Sequence, residues 1–306
     1  MKLAVLILCH KEPTQIQKFI SALSHPDITV FVHVDKKAGT LFRQPAASNV
    51  ILLPDEARVN VKWATISPVD ATLALLRYAE KTGSYDYYFL CSGQDFPLMS
   101  PAAILSFLSK DPTCNYINLA KSKNYQLGKA NHLDKRNQIV FPHWLIDRKL
   151  YLRVLKRAYI EFTGGYNKTY RLFARKNTSG TPFFFGSMWW CLTGNAVHWV
   201  LEYLTNHPAY YNYFSKCICP DESFFQTLIM NSPFQDTVTD YLHYIVWHKG
   251  ESSPKVLTQY DMPAMIKSGK LIARKFDRNI DEKVIDMLAE RICLQDQSHA
   301  DIGGHN

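Results

Sequence analysis

Two adjacent carboxylates follow a proline in the segment Cys219-Pro220-Asp221-Glu222. A positioned carboxylate can act as a general base that takes a proton from an attacking hydroxyl group. Acidic residues also favour the first turn of a helix, because they stabilise the positive end of the helix dipole. Spacing alone therefore leaves two interpretations of Glu222, a catalytic base or a residue that stabilises a helix start.

Three basic side chains, Lys255, Arg274 and Lys275, lie within about twenty residues of one another near the end of the chain. Fixed cations can neutralise a diphosphate, although ordinary surface residues have the same composition. Other diphosphate sites use carboxylates to hold a divalent cation against the phosphates. No two aspartates here are separated by a single residue, so the Asp-x-Asp form of such a site is missing. A diphosphate site in this chain is therefore predicted to use Lys and Arg and no metal.

Several other chemistries lack their motifs. The sequence has no GxGxxG segment after a strand and no Walker A loop, which removes the usual support for dinucleotide or P-loop binding. It has no GxSxG nucleophile turn and no HExxH zinc motif. The pair Cys217 and Cys219 has no second Cys/His cluster at zinc-site spacing.

The composition is globular with an excess of positive charge. The 306 residues include 35 Lys and Arg against 27 Asp and Glu, a net charge of +8, and 47% of them are hydrophobic. A basic excess favours an anionic partner. No Lys/Arg run is long enough to read as a nucleic-acid tail. We therefore expect a phosphorylated small molecule as partner, with weak attraction to a membrane surface as an addition, and no nucleic acid.

The seven cysteines are odd in number and lie mostly within apolar runs, which predicts reduced thiols. The first thirteen residues hold a short apolar run without a small-residue cleavage site, so they predict a buried strand and not a signal peptide. These features predict a cytoplasmic protein, either free or peripheral at the inner face of the membrane.

Strands and helices alternate in the first third of the chain. Apolar runs over 3–9, 28–34, 50–53 and 87–91 predict parallel strands buried on both faces. Ser67-Pro68 and Ser100-Pro101 each predict a helix start, with the serine as N-cap. The alternation predicts an α/β fold with a mostly parallel sheet flanked by helices. Ligands of such sheets bind at the carboxyl ends of the strands. Asp35 and the loop 92–97 are expected there.

The rest of the chain is less regular. Residues 121–180 are basic and weakly periodic, with one amphipathic helix near 148–160 that is either a solvated face or a surface that meets acidic lipid. The segment 181–191 predicts an aromatic strand interrupted by Gly186-Ser187, where a ligand or another chain could approach the backbone. Pro220-Asp221-Glu222 predicts the start of a helix, and a final helix is expected near 282–294.

Six segments, in their order along the chain, resemble those of the core-2/I-branching enzyme family, glycosyltransferase family 14. That family includes branching β-1,6-N-acetylglucosaminyltransferases and peptide O-xylosyltransferases. The resemblance runs nearly end to end. The segments are Val32-His33-Val34-Asp35-Lys36-Lys37, Trp63 to Ser67, Ser92-Gly93-Gln94-Asp95-Phe96-Pro97, Phe184-Phe185-Gly186-Ser187, Pro220-Asp221-Glu222-Ser223-Phe224-Phe225 and Ala273-Arg274-Lys275-Phe276-Asp277.

The resemblance implies a role for each candidate residue. Glu222 matches the base of the family's Pro-Asp-Glu segment. The donor diphosphate is expected at Lys275, with Lys255 and Arg274 beside it, and the uridine at His33 and Asp35. The acceptor sugar is expected at Trp247, Asp95, Gly186 and Ser187.

The resemblance also implies a single domain over 1–306 with a GT-A-type fold that lacks Asp-x-Asp and works without metal or cofactor. Its parts would be a nucleotide-binding part at 1–120, a variable acceptor-side segment at 121–180, and a catalytic and diphosphate-binding part at 181–306. The implied reaction is inverting transfer from a UDP-sugar, with N-acetylglucosamine preferred, to a glycan or lipid-linked acceptor in surface polysaccharide or glycoconjugate synthesis. UDP-xylose as donor and a non-catalytic binding module remain alternatives.

Overall fold

The computed structural model describes residues 1–39, 49–120, 150–165, 168–169, 172, 182–248, 251 and 253–303. The strands are β1 (Leu3–Cys9), β2 (Ile28–Val34), β3 (Val50–Leu52), β4 (Tyr87–Ser92), β5 (Asp95–Pro97), β6 (Asn115–Ile117), β7 (Trp190–Thr193), β8 (Val238–Thr239), β9 (His243–Ile245) and β10 (Ile272–Arg274). The helices are α1 (Pro13–Ser21), α2 (Ser67–Thr82), α3 (Pro101–Ser109), α4 (Leu150–Phe162), α5 (Gly194–Asn206), α6 (Pro208–Phe214), α7 (Phe224–Met230), α8 (Met262–Lys267) and α9 (Lys283–Gly303).

A seven-stranded sheet forms the centre of the protein, with the strand order β3-β2-β1-β4-β7-β6-β8. The strands from β3 to β4 pair in parallel, whereas β7 runs antiparallel to both of its neighbours. Successive residues of β1 face opposite sides of the sheet, Leu3 and Val5 in one core cluster and Ala4 and Leu6 in the other. Burial on both faces explains the continuous apolar runs, and the prediction of a mostly parallel sheet is confirmed.

A smaller sheet of order β5-β10-β9 lies beyond the end of β4. In it Arg274 is opposite Asp95 across an antiparallel pair, and it is opposite Ile245 across a parallel one. Two residues that are almost 180 positions apart in sequence therefore meet next to the carboxyl end of the main sheet.

The two predicted serine caps differ in the structure. Ser100 caps α3 as expected, since its hydroxyl accepts a hydrogen bond from the Ala103 amide at 3.3 Å. The prediction for Ser67 is wrong, because Ile66 is the cap residue and Ser67 lies inside α2. The Ser67 hydroxyl instead accepts a bond from the Lys62 amide at 2.7 Å, which ties down the loop that carries Trp63.

Two predicted boundaries also differ. Pro220–Glu222 form a 3₁₀ turn and not the start of the α-helix, because Ser223 has φ of −144° and α7 begins only at Phe224. The predicted aromatic strand is a strand only from Trp190 onward. Ahead of it, the Phe184 amide donates to the Thr227 hydroxyl at 3.0 Å, so this stretch is held by α7 and not by a strand ladder.

The helix predicted near 148–160 is present as α4, and the one near 282–294 as α9, which continues to Gly303. Most of the predicted variable segment 121–180 lies outside the described residues. None of the seven cysteines, all of which lie within the described residues, forms a disulfide bond. Among the helices that the structure describes, none has the length and apolar character that a membrane span requires.

Candidate functional site

A cavity of about 460 Å³ opens at the carboxyl ends of three parallel strands, β1, β2 and β4. The residues that follow these strands form much of its wall, as expected for an α/β sheet. Its lining is Leu8, Cys9, His10, Lys11, His33, Asp35, Lys37, Val61, Trp63, Ala64, Pro68, Ser92, Gly93, Gln94, Met188, Trp189, Asp221 and Arg274.

The end of β2 contributes His33 and Asp35. The His33 ring nitrogen Nε2 accepts a hydrogen bond from the Val59 amide at 2.8 Å. Burial lowers the pKa of His33 to about 4, so the ring is neutral near neutral pH. The Asp35 carboxylate accepts a bond from the Lys37 amide at 2.9 Å and lies 3.5 Å from the Lys37 ammonium. These contacts set the shape of this wall.

Arg274 forms the opposite wall. Its guanidinium carbon lies 4.2 Å from the centre of the Trp189 ring, and its Nη1 is 3.5 Å from the Asp95 carboxylate. Neither Nε nor Nη1 has a hydrogen-bond partner among the described residues. A cation that is stacked on an indole ring and borders the cavity is suited to an anionic ligand.

Asp95 lies behind Arg274 and is fully buried. Its two carboxylate oxygens accept bonds from the amide and the hydroxyl of Ser92, both at 2.8 Å. Burial opposes its ionisation, but Arg274, His243 and the Ser92 amide together keep the pKa of Asp95 below its ordinary value. Asp95 was predicted to contact the acceptor. In the structure it contacts Arg274, and Ser92 and Gln94 of the same loop line the cavity.

Further cations surround Arg274. Lys11 and Lys37 line the cavity, and Lys11 forms an ion pair with Asp277 at 3.1 Å. Lys275 is partly buried next to them. Burial, followed by the charges of Lys11 and Arg274, lowers the pKa of Lys275. An anion bound between these groups would relieve their mutual repulsion.

A backbone hydrogen bond connects the segment of Lys255 with Lys275. The amide of Leu257, two residues on, donates to the Lys275 carbonyl at 2.8 Å. The Lys255 ammonium itself contacts the Asp261 carboxylate at 2.6 Å. Lys255 is therefore a cation that a charged partner already holds near the cavity.

The turn Pro220–Glu222 closes a third side. Asp221 lines the cavity, and Glu222 follows it with a partly exposed side chain. The turn is reached through Cys219, which has φ of 49°, and the Cys219 amide donates to the carbonyl of Ala64, another residue with positive φ. Such backbone conformations are uncommon in residues other than glycine and often accompany functional sites.

Gly186 and Ser187 hold this turn from behind. The Gly186 amide donates to the Glu222 carbonyl at 2.9 Å. A Cβ atom at Gly186 would lie 1.7 Å from the Asn118 carbonyl oxygen, so only glycine fits here. The Ser187 amide donates to the side-chain oxygen of Asn118 at 3.0 Å, and the Ser187 carbonyl accepts a bond from the side-chain amide of Gln226 at 2.7 Å. The structure thus links Gly186 to Glu222 through a backbone bond, and Ser187 is held beside it by Asn118 and Gln226.

Trp247 follows β9 by two residues and is 57% exposed. It is outside the set of described residues that line the cavity. Sequence reasoning had overlooked His10, Lys11 and Trp189. The first two directly follow β1, so the rule that ligands bind at strand carboxyl ends could have found them. Trp189 had no signal beyond its aromatic neighbours.

One group of described side chains has the atom types of a metal site. Cys91, Asp95 and His243 are buried and bring their potential ligand atoms within 4.8 Å of one another. Burial raises the pKa of Cys91 well above its ordinary value, and Arg274 already supplies a positive charge to Asp95. A protonated thiol and a carboxylate paired with a guanidinium do not suit a metal cation.

Comparison with known proteins finds relatives that are named as xylosyltransferases. Xylosyltransferase 1 of Homo sapiens is 24% identical over 314 residues, which cover 93% of this chain and 29% of the human protein. Xylosyltransferase 2 of Rattus norvegicus is 21% identical over 318 residues, which cover 94% of this chain and 33% of the rat protein. The chain spans about a third of the length of these relatives.

The family described as Core-2/I-Branching enzyme matches residues 3–267. The match includes the strand ends that form the cavity, the Gly186-Ser187 segment and the turn with Glu222, and it stops seven residues before Arg274. It covers well over half of the chain. The chain therefore belongs to the core-2/I-branching enzyme family of glycosyltransferases.

Proposed function

We propose that this protein transfers a sugar from a UDP-sugar to a hydroxyl group of a glycan acceptor, with inversion and without a metal ion. One observation carries the proposal. Arg274 and Asp221 line the same cavity at the carboxyl end of the parallel strands, so a mostly buried cation and the turn that carries Glu222 border one cavity. The GT-A-type assignment is part of this proposal, supported by the parallel strands that end at the cavity.

In the proposed reaction the Glu222 carboxylate takes the proton of the acceptor hydroxyl. The acceptor oxygen forms a bond to the anomeric carbon while the bond from that carbon to the diphosphate oxygen breaks. UDP leaves with the electron pair of the broken bond, and its negative charge lies next to Arg274, Lys275 and Lys11. Attack opposite the leaving group inverts the configuration.

The acceptor side is supported less directly. Trp247 is exposed close to the segment of Lys255, whose amide donates to the Val246 carbonyl at 2.8 Å. An exposed aromatic ring can stack on the apolar face of a sugar. We propose that Trp247 contacts the acceptor, whereas Gly186, Ser187 and Asp95 act by positioning Glu222 and Arg274.

Two donors are in question, UDP-N-acetylglucosamine and UDP-xylose. UDP-N-acetylglucosamine is the preferred donor of the two. UDP-xylose is the second candidate, because the relatives named as xylosyltransferases align with more than nine tenths of this chain.

A thermal-shift panel together with an assay of UDP-sugar turnover separates these candidates. The panel detects binding, because a ligand that binds the folded state raises its apparent stability. We expect UDP to raise Tm and one of the two UDP-sugars to be hydrolysed or transferred. A GDP-sugar serves as the mismatched control. A shift with UDP but no turnover of any UDP-sugar, with or without glycan acceptors, would identify a non-catalytic binding module. No shift with any nucleotide would refute the proposal.

A further inference from the structure

The helix α4 presents its apolar side to solvent. Tyr151, Val154, Leu155 and Phe162 are 60%, 63%, 54% and 90% exposed, and Ala158 between them is exposed as well. Their spacing is i, i+3, i+4, i+7 and i+11, which places all five on one face of the helix. Four of the twelve large apolar side chains exposed in the described part of the chain thus lie on a single helix.

The side of α4 that faces the protein carries the half-buried side chains of Leu152 and Tyr159. Ile160, on that side, is only 6% exposed. Arg153 and Arg157 are exposed between this side and the apolar stripe, Lys156 is half-buried, and Glu161 is the only acidic residue of the helix. An ordinary amphipathic helix turns its apolar face to the core, whereas α4 leaves a second apolar stripe exposed with cations beside it.

Single exposed apolar side chains are normal, whereas a continuous stripe indicates a partner. A second copy of this chain would bring two helices of net positive charge together, with one acid each to compensate. An anionic bilayer surface fits better, because it accepts the apolar stripe and attracts the cations. A helix with aromatic and aliphatic residues on one face and Lys/Arg on the other is typical of binding in the plane of the lipid headgroups. The net charge of +8 adds long-range attraction of the same sign.

We propose that α4 is a membrane-docking helix that lies in the headgroup layer of an anionic bilayer, with Tyr151, Val154, Leu155 and Phe162 directed toward the acyl chains. None of these four residues lines the cavity at the carboxyl ends of β1, β2 and β4. Vesicle binding requires no donor or acceptor, so its outcome is independent of the proposed transferase activity.

The test is co-sedimentation of the full chain with vesicles of phosphatidylcholine alone or mixed with phosphatidylglycerol. We expect binding only to the mixed vesicles, with amide hydrogen exchange over 150–162 slowed by them. The double variant Leu155→Ser/Phe162→Ser should lose affinity by about tenfold or more through lost apolar burial. The variant Arg153→Gln/Arg157→Gln should lose about fivefold for each cation removed.

The matched control is Ile266→Ser/Lys267→Gln on α8, which also removes one exposed apolar and one exposed basic side chain. It should bind like the unmodified chain. All the altered side chains lie at the surface, and circular dichroism and Tm verify that each variant is folded. Failure of the unmodified chain to bind anionic vesicles would overturn the proposal, as would equal binding by Leu155→Ser/Phe162→Ser. A dimer in sedimentation velocity that this variant abolishes would assign the stripe to a second copy instead.

Discussion

Among single residues, the charged side chains at the cavity are held in place by the groups that they contact. Arg274 is stacked on Trp189 and backed by Asp95, so its position is set before any ligand binds. Glu222 is set by its backbone, through the bond from the Gly186 amide. Preorganised charges of this kind stabilise a leaving group more than mobile ones do, because they need no rearrangement during the reaction.

Replacing Glu222 with Gln should lower turnover by about 10²–10⁴-fold, since the amide cannot take the acceptor proton. UDP affinity should stay unchanged, because the proposed base contacts the acceptor and not the diphosphate. Steady-state kinetics and calorimetric titration with UDP measure the two quantities. Glu202→Gln on α5, an exposed position, is the control. Near-normal turnover of Glu222→Gln would move the base to another residue.

Lys275→Ala should weaken UDP binding by about 1.5–3 kcal/mol, the usual contribution of a hydrogen bond to a charged group. The physical reason is that Lys275, Lys11 and Arg274 repel one another until an anion binds between them. Calorimetric titration of UDP against the variant measures the loss, and Lys267→Ala on the exposed surface of α8 is the comparison. Equal affinity in both variants would show that Lys275 does not contact the diphosphate.

At the scale of elements, irregular segments do more to build the site than helices do. Backbone hydrogen bonds hold the turn with Glu222 on two sides. The Cys219 amide donates to the Ala64 carbonyl, both residues having positive φ, and the Gly186 amide donates to the Glu222 carbonyl. The short sheet with β5 and β10 carries Asp95 and Arg274 to each other. The helices and the parallel strands supply the frame, and the loops at the strand carboxyl ends, together with the short second sheet, supply the charged groups.

Gly186→Ala should destabilise the protein by about 1–3 kcal/mol, the usual effect of forcing extra volume into a packed site. The new Cβ would meet the backbone carbonyl of Asn118, which cannot move without disturbing the main sheet. Chemical denaturation measures the change. Gly83→Ala, where the nearest atom is 3.7 Å away, should have little effect. Turnover should fall with Gly186→Ala even below its unfolding transition, because Glu222 shifts with the turn.

The end of β2 should make stability depend on pH. The pKa of His33 is about 4 in the folded protein against an ordinary value of 6.5, so the unfolded chain binds the proton more readily. This contribution is fully present above pH 6.5 and is lost as the pH falls toward 4, by up to about 3 kcal/mol. Denaturation curves across that range should converge for the unmodified chain and His33→Gln as acid is added. A parallel pH dependence in both would contradict the assignment.

In the molecule as a whole, both halves of the main sheet lead to the cavity. Its parallel half ends at the cavity, and its antiparallel strand β7 follows directly after Trp189. The family match covers both halves, although the chain is only about a third as long as its xylosyltransferase relatives.

Turnover should persist in excess chelator, because Arg274, Lys275 and Lys11 supply the charge that a metal would otherwise provide. The measurement is UDP release with chelator, compared with the same reaction after manganese is added back. Strict dependence on manganese would refute the metal-free mechanism while leaving the family assignment intact.

Local patterns predict the elements with strong periodicity, and the six motif segments predict the family. The apolar runs of β1, β2 and β4 predicted a parallel sheet, since strands buried on both faces must be apolar throughout. Local rules also placed Asp35 and the loop 92–97 at the strand ends. They failed at Ser67, whose hydroxyl accepts a bond from the Lys62 amide in the preceding loop, and at Pro220–Glu222, where Glu222 accepts a bond from the distant Gly186.

Which side chains meet depends on tertiary contacts that local patterns do not encode. Asp95 and Arg274 pair because β5 and β10 lie side by side, and no local pattern encodes that register. Gly186 is required by the carbonyl of Asn118, far away in sequence, and not by its own backbone conformation. The outward apolar face of α4 is likewise invisible in its periodicity, because an amphipathic pattern states that two faces differ and leaves open which one meets the protein.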